Sequence, residues 1–265
     1  MRILISIITP SLGRISYLKK NINQIKNIRR KFKNFEWIIV VEKKDLNTIN
    51  FLKKFRYKYI KVFIGKYDSA ENAFNAGLRK SKGEYVNFHG NDDFFNIKNK
   101  QHLNKKIFLE NYKWIIFDGE YIDDKFLIKR KLITHIKSFL LKKFGLVDLS
   151  VVNFIMTPSV FVKRQICKKL GGLGKIKQPG SDYILWMRFN KRYKPKVYPI
   201  KLTYSMITNK TITGKFDMNK YVFIFKKMIK NNKYGLIGRF FILLSITIII
   251  IYNFINKKLI NGIKY

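Results

Sequence analysis

One cysteine, Cys167, stands among 265 residues, so no intrachain disulfide can form, and a reducing compartment suits the chain. Acid is scarce too: 16 Asp and Glu face 55 Lys and Arg, a formal net charge of +39. That charge invites a nucleic-acid reading, but no nucleic-acid recognition motif occurs and the basic residues spread along most of the chain. Lys, Asn, Ile, Phe and Tyr are abundant together, the mark of a coding bias that raises lysine everywhere. An anionic membrane surface is the expected partner, because anionic head groups attract basic segments by roughly 1 kcal/mol per residue, and no nucleic acid is expected. The three histidines, His89, His102 and His135, lack metal-ligand spacing, and no internal repeat is evident. The N-terminus carries no secretory hydrophobic core; Ile3–Thr9 reads as a first buried strand.

What is present is an alternation of apolar runs and helical stretches. After the turn Pro10-Ser11-Leu12-Gly13-Arg14 a helix is predicted around Ile15–Ile28, and Glu36–Glu42 gives a second strand. A helix near Asn47–Phe55, a strand at Ile60–Ile64, a helix over Asp68–Ser81 and a strand at Tyr85–His89 follow. Strands that are apolar throughout and separated by helices imply an α/β fold with a mostly parallel sheet flanked by helices. Hydrophobic content of 47% supplies the core.

In such sheets ligands bind beyond the carboxyl ends of the strands. Four polar positions fall there: Thr9 with Pro10 and Ser11, Glu42 with Asp45, Lys66 to Asp68, and Asn91-Asp92-Asp93. The last is the most informative. Two adjacent carboxylates repel each other, and hard divalent cations such as Mg²⁺ or Mn²⁺ offset that repulsion while bridging to phosphates. A solvated turn is the competing reading, since Asn and Asp favour turn geometry.

The second half is less regular. Trp114–Phe117 reads as a short strand followed by Asp118-Gly119-Glu120, and residues 125–148 are basic and amphipathic, suited to an interfacial or an ordinary surface helix. Gly171-Gly172-Leu173-Gly174 reads as a flexible loop, and Ser181–Phe189 as a helix for which Asp182 would be a natural N-cap. Phe240–Ile255 is nearly all apolar between basic flanks. Spanning a bilayer takes about 20 such residues, so the segment is expected to associate with membrane, either as a short span or in the interface.

With these residues in view, the chain resembles the family 2 glycosyltransferases of the GT-A fold that build bacterial cell-surface polysaccharide, over roughly residues 3–205. Ile5-Ser6-Ile7-Ile8-Thr9-Pro10-Ser11 looks like that family's first strand and nucleotide loop, and Glu36–Glu42 like its second strand, which ends in a carboxylate near the base. Residues 69–84 resemble the helix and turn leading to the metal motif, whose place Asn91-Asp92-Asp93 occupies. Phe117-Asp118-Gly119 resembles an acceptor-side segment. Thr157-Pro158-Ser159 through Gly171-Gly172-Leu173, then residues 181–188, resemble the stretch carrying the catalytic base. Glu42-Lys43-Lys44-Asp45 departs from the aspartate pair usual after the second strand.

The resemblance implies an inverting, metal-dependent transferase moving a sugar from a nucleotide-sugar donor to a glycan or lipid-linked acceptor. It implies Asp93 as ligand of Mg²⁺ or Mn²⁺ and Asp182 as general base. Thr9, Pro10, Ser11, Glu42, Asn72, Asn91 and Asp92 would meet the donor, and Asp118, Trp186 and Arg188 would lie on the acceptor side. Residues 1–215 would form the catalytic domain (1–95 for the donor, 96–215 for the acceptor) and 216–265 a membrane-associated segment. The enzyme would then work at the cytoplasmic face of the cell membrane, peripheral or anchored through residues 236–255. A nucleotidyltransferase with a similar site, or a basic membrane- or nucleic-acid-binding protein on a degenerate fold, are the alternatives.

Overall fold

The computed structural model describes residues 4–207 apart from positions 12, 31, 56, 145–148, 150–152 and 175–179, and beyond them only Lys226 and Thr247. The expected membrane segment at 236–255 thus lies, but for Thr247, outside the described residues. Among the described residues, no helix is long and apolar enough to cross a membrane.

The first half follows the predicted alternation: β1 (Ile5–Ser11), α1 (Ile15–Arg29), β2 (Phe35–Glu42), α2 (Leu46–Lys53), β3 (Ile60–Gly65), α3 (Ala70–Lys80) and β4 (Tyr85–Phe88). β1 lies between β2 and β4 and pairs in parallel with both, and β2 pairs in parallel with β3. The second half adds β5 (Asp93–Phe95), α4 (Lys105–Leu109), β6 (Trp114–Ile122), β7 (Ile128–Lys129), α5 (Lys131–Lys142), β8 (Val160–Lys163), α6 (Arg164–Lys169), α7 (Ser181–Asn190) and β9 (Lys196–Met206). All join one sheet in the order β3-β2-β1-β4-β8-β6-β9-β5, with β7 paired to β6. β8 is antiparallel to β4 and β6, β9 is parallel to β6, and β5 is antiparallel to β9.

Alternation of side chains along the strands divides the interior in two. Ile8, Ile38, Val40 and Phe88 meet Ala73, Ala76 and Leu78 of α3 together with Leu185 and Trp186 of α7. Ile7, Trp37, Ile39 and Val41 meet Leu18, Ile22, Ile25 and Ile28 of α1, whose spacing makes one helical stripe. α3 begins where Ser69 accepts a hydrogen bond from the Asn72 amide (3.2 Å), with Glu71 in its first turn and Arg79 and Lys80 in its last, as cap and dipole favour. It lies close on β1: a Cβ on Gly77 would stand 2.3 Å from Cγ2 of Ile8.

At the amino ends of the strands, opposite the site, buried Glu36 ties four segments together. Its Oε1 accepts from Ser6 Oγ (2.7 Å) and the Lys82 amide (2.6 Å), and its Oε2 from Lys61 Nζ (2.5 Å). Burial alone would raise its pKa, but Lys61, the Lys82 amide and the Ser6 hydroxyl outweigh it and hold the carboxyl below its ordinary 4.5. Glu36→Gln should therefore lose about 2 kcal/mol of stability at neutral pH, because Lys61 and an amide lose a charged partner. A carboxylate with a depressed folded pKa stabilises above its unfolded value and loses that contribution as pH falls through the folded one. The gap between wild type and variant, measured by urea unfolding, should accordingly shrink as pH falls below about 4.5.

One sequence expectation is corrected here. The strand begun at Trp114 does not stop at Phe117 but runs through Asp118-Gly119-Glu120 to Ile122, with register shifts against β9 on either side of Asp118. Asp-Gly-Glu reads as a turn by composition, yet each polar group has a partner inside the fold. Asp118 Oδ2 accepts from Ser138 Oγ (2.6 Å) and Glu120 Oε1 from Lys201 Nζ (2.5 Å). A Cβ at Gly119 would meet Met156, Ser159 and Thr203 within 3.0 Å, so glycine is what lets the bulge pass.

Candidate active site

β4 ends at Phe88, and the chain turns through Asn91 and Asp92 before Asp93 opens β5 opposite Ser205 of β9. This places Asp93 at the sheet edge while anchoring it in a strand, so the expected turn and the expected ligand are neighbours. Asp93 Oδ2 accepts from the Gly90 amide (2.7 Å) and Oδ1 from Ser205 Oγ (2.6 Å). Its carboxyl is pushed up to about 7, first by burial, then by the Asp92 carboxylate, with Asp182 adding to the effect against the two hydrogen bonds. The Asp93 carboxyl therefore senses both Asp92 and Asp182.

Asp92 is paired with Arg14 of the β1–α1 turn, Nη1 to Oδ2 at 2.5 Å, both side chains being about a third exposed or less. Asn91 ties the same two loops: its Nδ2 donates to Ser11 Oγ (3.1 Å) and the Arg14 carbonyl (3.3 Å), and its own carbonyl accepts from Asn21 Nδ2 (3.0 Å). Its Oδ1 is buried without a protein partner. His89 stacks on Phe95 at 4.4 Å and its Nε2 lies 3.0 Å from the Asp93 carbonyl. Burial drives its pKa down to about 3, so it packs behind the loop as a neutral ring.

Asp182 sits in the first turn of α7. The N-cap is Gly180 at φ +107°, so Asp182 is not the cap its sequence position suggests. Its carboxylate accepts from the Thr157 hydroxyl through Oδ2 and from the Tyr183 amide (2.8 Å) through Oδ1. The helix is steadied from α3, where Glu71 lies 3.4 Å from Ser181 Oγ. Asn75 of α3 holds the double-glycine segment, donating to the Gly174 carbonyl (2.8 Å) and accepting from the Leu173 amide (3.0 Å). Gly171, Gly172 and Gly174 all have positive φ, so the segment read as a flexible loop is a bonded turn.

At the carboxyl ends of β2 and β3 a cleft of about 710 Å³ opens between Glu42, Lys43, Lys44, Leu46, Lys66, Tyr67 and Asp68. Glu42 Oε2 accepts from the Tyr67 amide (2.6 Å). Asp45 caps α2 through the Thr48 amide (3.1 Å) and holds the Gly13 amide (2.7 Å), joining the first two loops.

Not every expected residue faces this opening. Thr9 is fully buried with its Oγ1 accepting from Trp37 Nε1 (2.9 Å), and Ser11 is buried against Asn91. Only Pro10 of that trio is partly exposed. Asn72 is partly exposed and donates to Asp68. The acceptor-side expectation for Trp186 is corrected: it is fully buried, stacked on Trp114 at 6.4 Å, as its place in an apolar helix demands. Arg188 donates to the Leu170 carbonyl (3.0 Å) and lines a separate cleft with Lys169 and Arg192. Asp118 is buried, its oxygens held by the Gly119 amide and Ser138.

The model of glycosyl transferase family 2 matches residues 6–171, well over half of the chain. The chain belongs to glycosyl transferase family 2. It is therefore a transferase by family, and its α/β sheet carries the GT-A arrangement that the sequence led one to expect. The family match takes in β1 to α6 and the Asp92–Asp93 pair, while Asp182 lies beyond it. An uncharacterised glycosyltransferase of Rickettsia bellii (strain RML369-C) is 32% identical over 129 residues, which is 45% of this chain but 18% of that protein. In fold, the chain is similar to S. aureus TarS 1-349 in complex with UDP-GlcNAc (TM-score 0.62, 15% identity, 86% of this chain and 66% of that one). It is also similar to the mannosyltransferase PcManGT from Pyrobaculum calidifontis in complex with GDP-Man and Mn²⁺ (TM-score 0.60, 13% identity, 88% and 66%).

Within this family-2 site, three residues escaped the sequence reading. Arg14 had a signal, a cation three residues past Ser11 in the turn after the first strand. Ser205 had none, since its pairing with Asp93 spans 112 positions. Thr157 was visible in the Thr-Pro-Ser motif, but its hydroxyl contact with Asp182 required the fold.

Proposed function

We propose that the chain transfers a glycosyl group from a nucleoside-diphosphate sugar to a hydroxyl of a glycan or lipid-linked acceptor, inverting the anomeric centre. The observation that carries this is the place of Asp93, just beyond the carboxyl end of β4 and near enough to Asp182, distant in sequence, for that carboxylate to act on it, together with the Glu42–Tyr67 cleft at the carboxyl ends of β2 and β3. The cleft would take the nucleoside, with Tyr67 offering a ring face and Glu42 an acceptor. Arg14, paired with Asp92, is positioned to meet the donor's anionic or hydroxyl groups as that pair exchanges.

Asp93 fits a hard divalent cation, Mg²⁺ or Mn²⁺. Its oxygens each receive one hydrogen bond and retain lone pairs, and a raised carboxyl pKa among like charges is what a cation relieves. Among the described residues no group of three or more His, Cys, Asp or Glu could hold a metal, so donor phosphates and water would complete the shell. Bound there, the ion would neutralise the leaving diphosphate as a Lewis acid. Asp182 would accept the proton of the attacking hydroxyl, with Thr157 and the Tyr183 amide fixing its direction. Attack from the face opposite the diphosphate inverts the centre.

The acceptor, the cell-surface role and a position at the cytoplasmic face of the cell membrane belong to the same proposal, supported by the basic surface and the apolar run at Phe240–Ile255. The test is a panel of nucleotide sugars with Mn²⁺ or Mg²⁺, read by nucleoside diphosphate release. One donor should give saturable, cation-dependent release. Pyrophosphate release from a nucleoside triphosphate, with every sugar donor inert, would replace this reading with nucleotidyl transfer.

A further inference from the structure

We propose that the β7–α5 face docks on an anionic lipid bilayer and turns the Asp118 side of the sheet toward it. α5 is fastened to the sheet by its inner side, Ser138 Oγ to Asp118 Oδ2 (2.6 Å) and Lys137 Nζ to the Tyr121 hydroxyl (3.1 Å). Its outer side shows Leu132, Ile136 and Phe139, which are 67%, 50% and 59% exposed. Spacings of four and three put them on one stripe, and Leu127 and Ile128, which precede the helix in the chain, are exposed as well. An exposed apolar helix stripe of this kind marks an interaction surface.

Charge selects the occupant. Residues 125–143 hold seven Lys or Arg and no Asp or Glu, and Lys129 finds its partner outside that stretch, in Asp123 (3.0 Å). The apolar segment at 236–255 could cover the stripe, but it brings one Arg and no acid. A second copy would set a +39 chain against another. Anionic lipid alone among the three supplies an apolar interior beneath negative head groups, the setting in which an amphipathic helix with a basic margin lies in the interface. The inference rests on the membrane placement proposed above and not on the catalytic assignment.

The experiment uses the full chain with Ile136→Cys carrying a polarity-sensitive fluorophore; Cys167 is buried and stays unlabelled. Vesicles of phosphatidylglycerol and phosphatidylethanolamine should shift its emission to the blue, and neutral phosphatidylcholine vesicles should not. Leu132→Gln/Ile136→Gln/Phe139→Gln should bind the anionic vesicles at least about tenfold more weakly, with an unchanged melting temperature and unchanged nucleoside diphosphate release in solution. A label already blue before lipid and unmoved by it would show the stripe covered by the chain itself or by a second copy, and would overturn the proposal. So would a triple variant that binds as tightly as wild type. Loss of donor turnover with vesicle binding intact would count against the catalytic reading only.

Discussion

Asp93→Asn is expected to lower sugar transfer about a thousandfold while leaving the fold as stable as before, or more so. The loss follows from removing the anionic ligand of the cation, on the order of 4 kcal/mol of stabilisation for the leaving diphosphate. The retained stability follows from the geometry. An Asn in the same place can accept from the Gly90 amide through Oδ1 and donate to the Ser205 hydroxyl through Nδ2, keeping both contacts that the carboxylate makes. It also removes a carboxyl whose charged form burial, Asp92 and Asp182 all oppose. A group held against its own electrostatics is the signature of a site built for a ligand rather than for the fold. Thermal melts give the check. Mn²⁺ with a nucleoside diphosphate should raise the melting temperature of the wild type, as any ligand selective for the native state does, and leave the variant unmoved. A variant with wild-type turnover would remove Asp93 from the cation site.

That contrast also explains how much could be seen in the sequence. The first half of the fold was legible because its strands are apolar throughout and its helices carry a stripe or a cap, as in Leu18-Ile22-Ile25 and Ser69. The Asp92–Asp93 pair stood out because acid is rare in this chain. What local pattern does not encode is pairing across long separations. The strand from Trp114 reads as ending at Phe117 because the partners that hold Asp118-Gly119-Glu120 in it, Ser138 and Lys201, lie 20 and 81 positions away. Thr9 and Ser11 sat at the right strand end, but inward facing is decided by Trp37 and Asn91. Trp186 belongs to a helix buried on most sides, where an aromatic is core.

Asp182→Asn should lower turnover by about two to four orders of magnitude, the usual cost of losing a general base, with little change in the donor's KM. Asn preserves the shape: its oxygen can accept from the Tyr183 amide and its nitrogen can donate to the Thr157 hydroxyl. What it cannot do is take a proton from the acceptor. The competing account makes Asp182 a helix-terminus residue, valued for its charge near the α7 amino end, and that charge is worth about 1 to 2 kcal/mol at a partly buried position. The accounts separate cleanly because Gly180 occupies the cap and Asp182 spends one oxygen on its own neighbour's amide. A structural Asp182 would lower the melting temperature and leave the rate per folded molecule intact; a base would do the reverse. Thr157→Val sharpens the distinction. It removes the hydroxyl that aims the carboxylate without touching the charge, so it should lower kcat by about tenfold while the melting temperature and the donor's KM hold. Wild-type kcat in Thr157→Val would mean the hydroxyl does not direct the base, and wild-type kcat in Asp182→Asn would mean the acceptor proton leaves by another route.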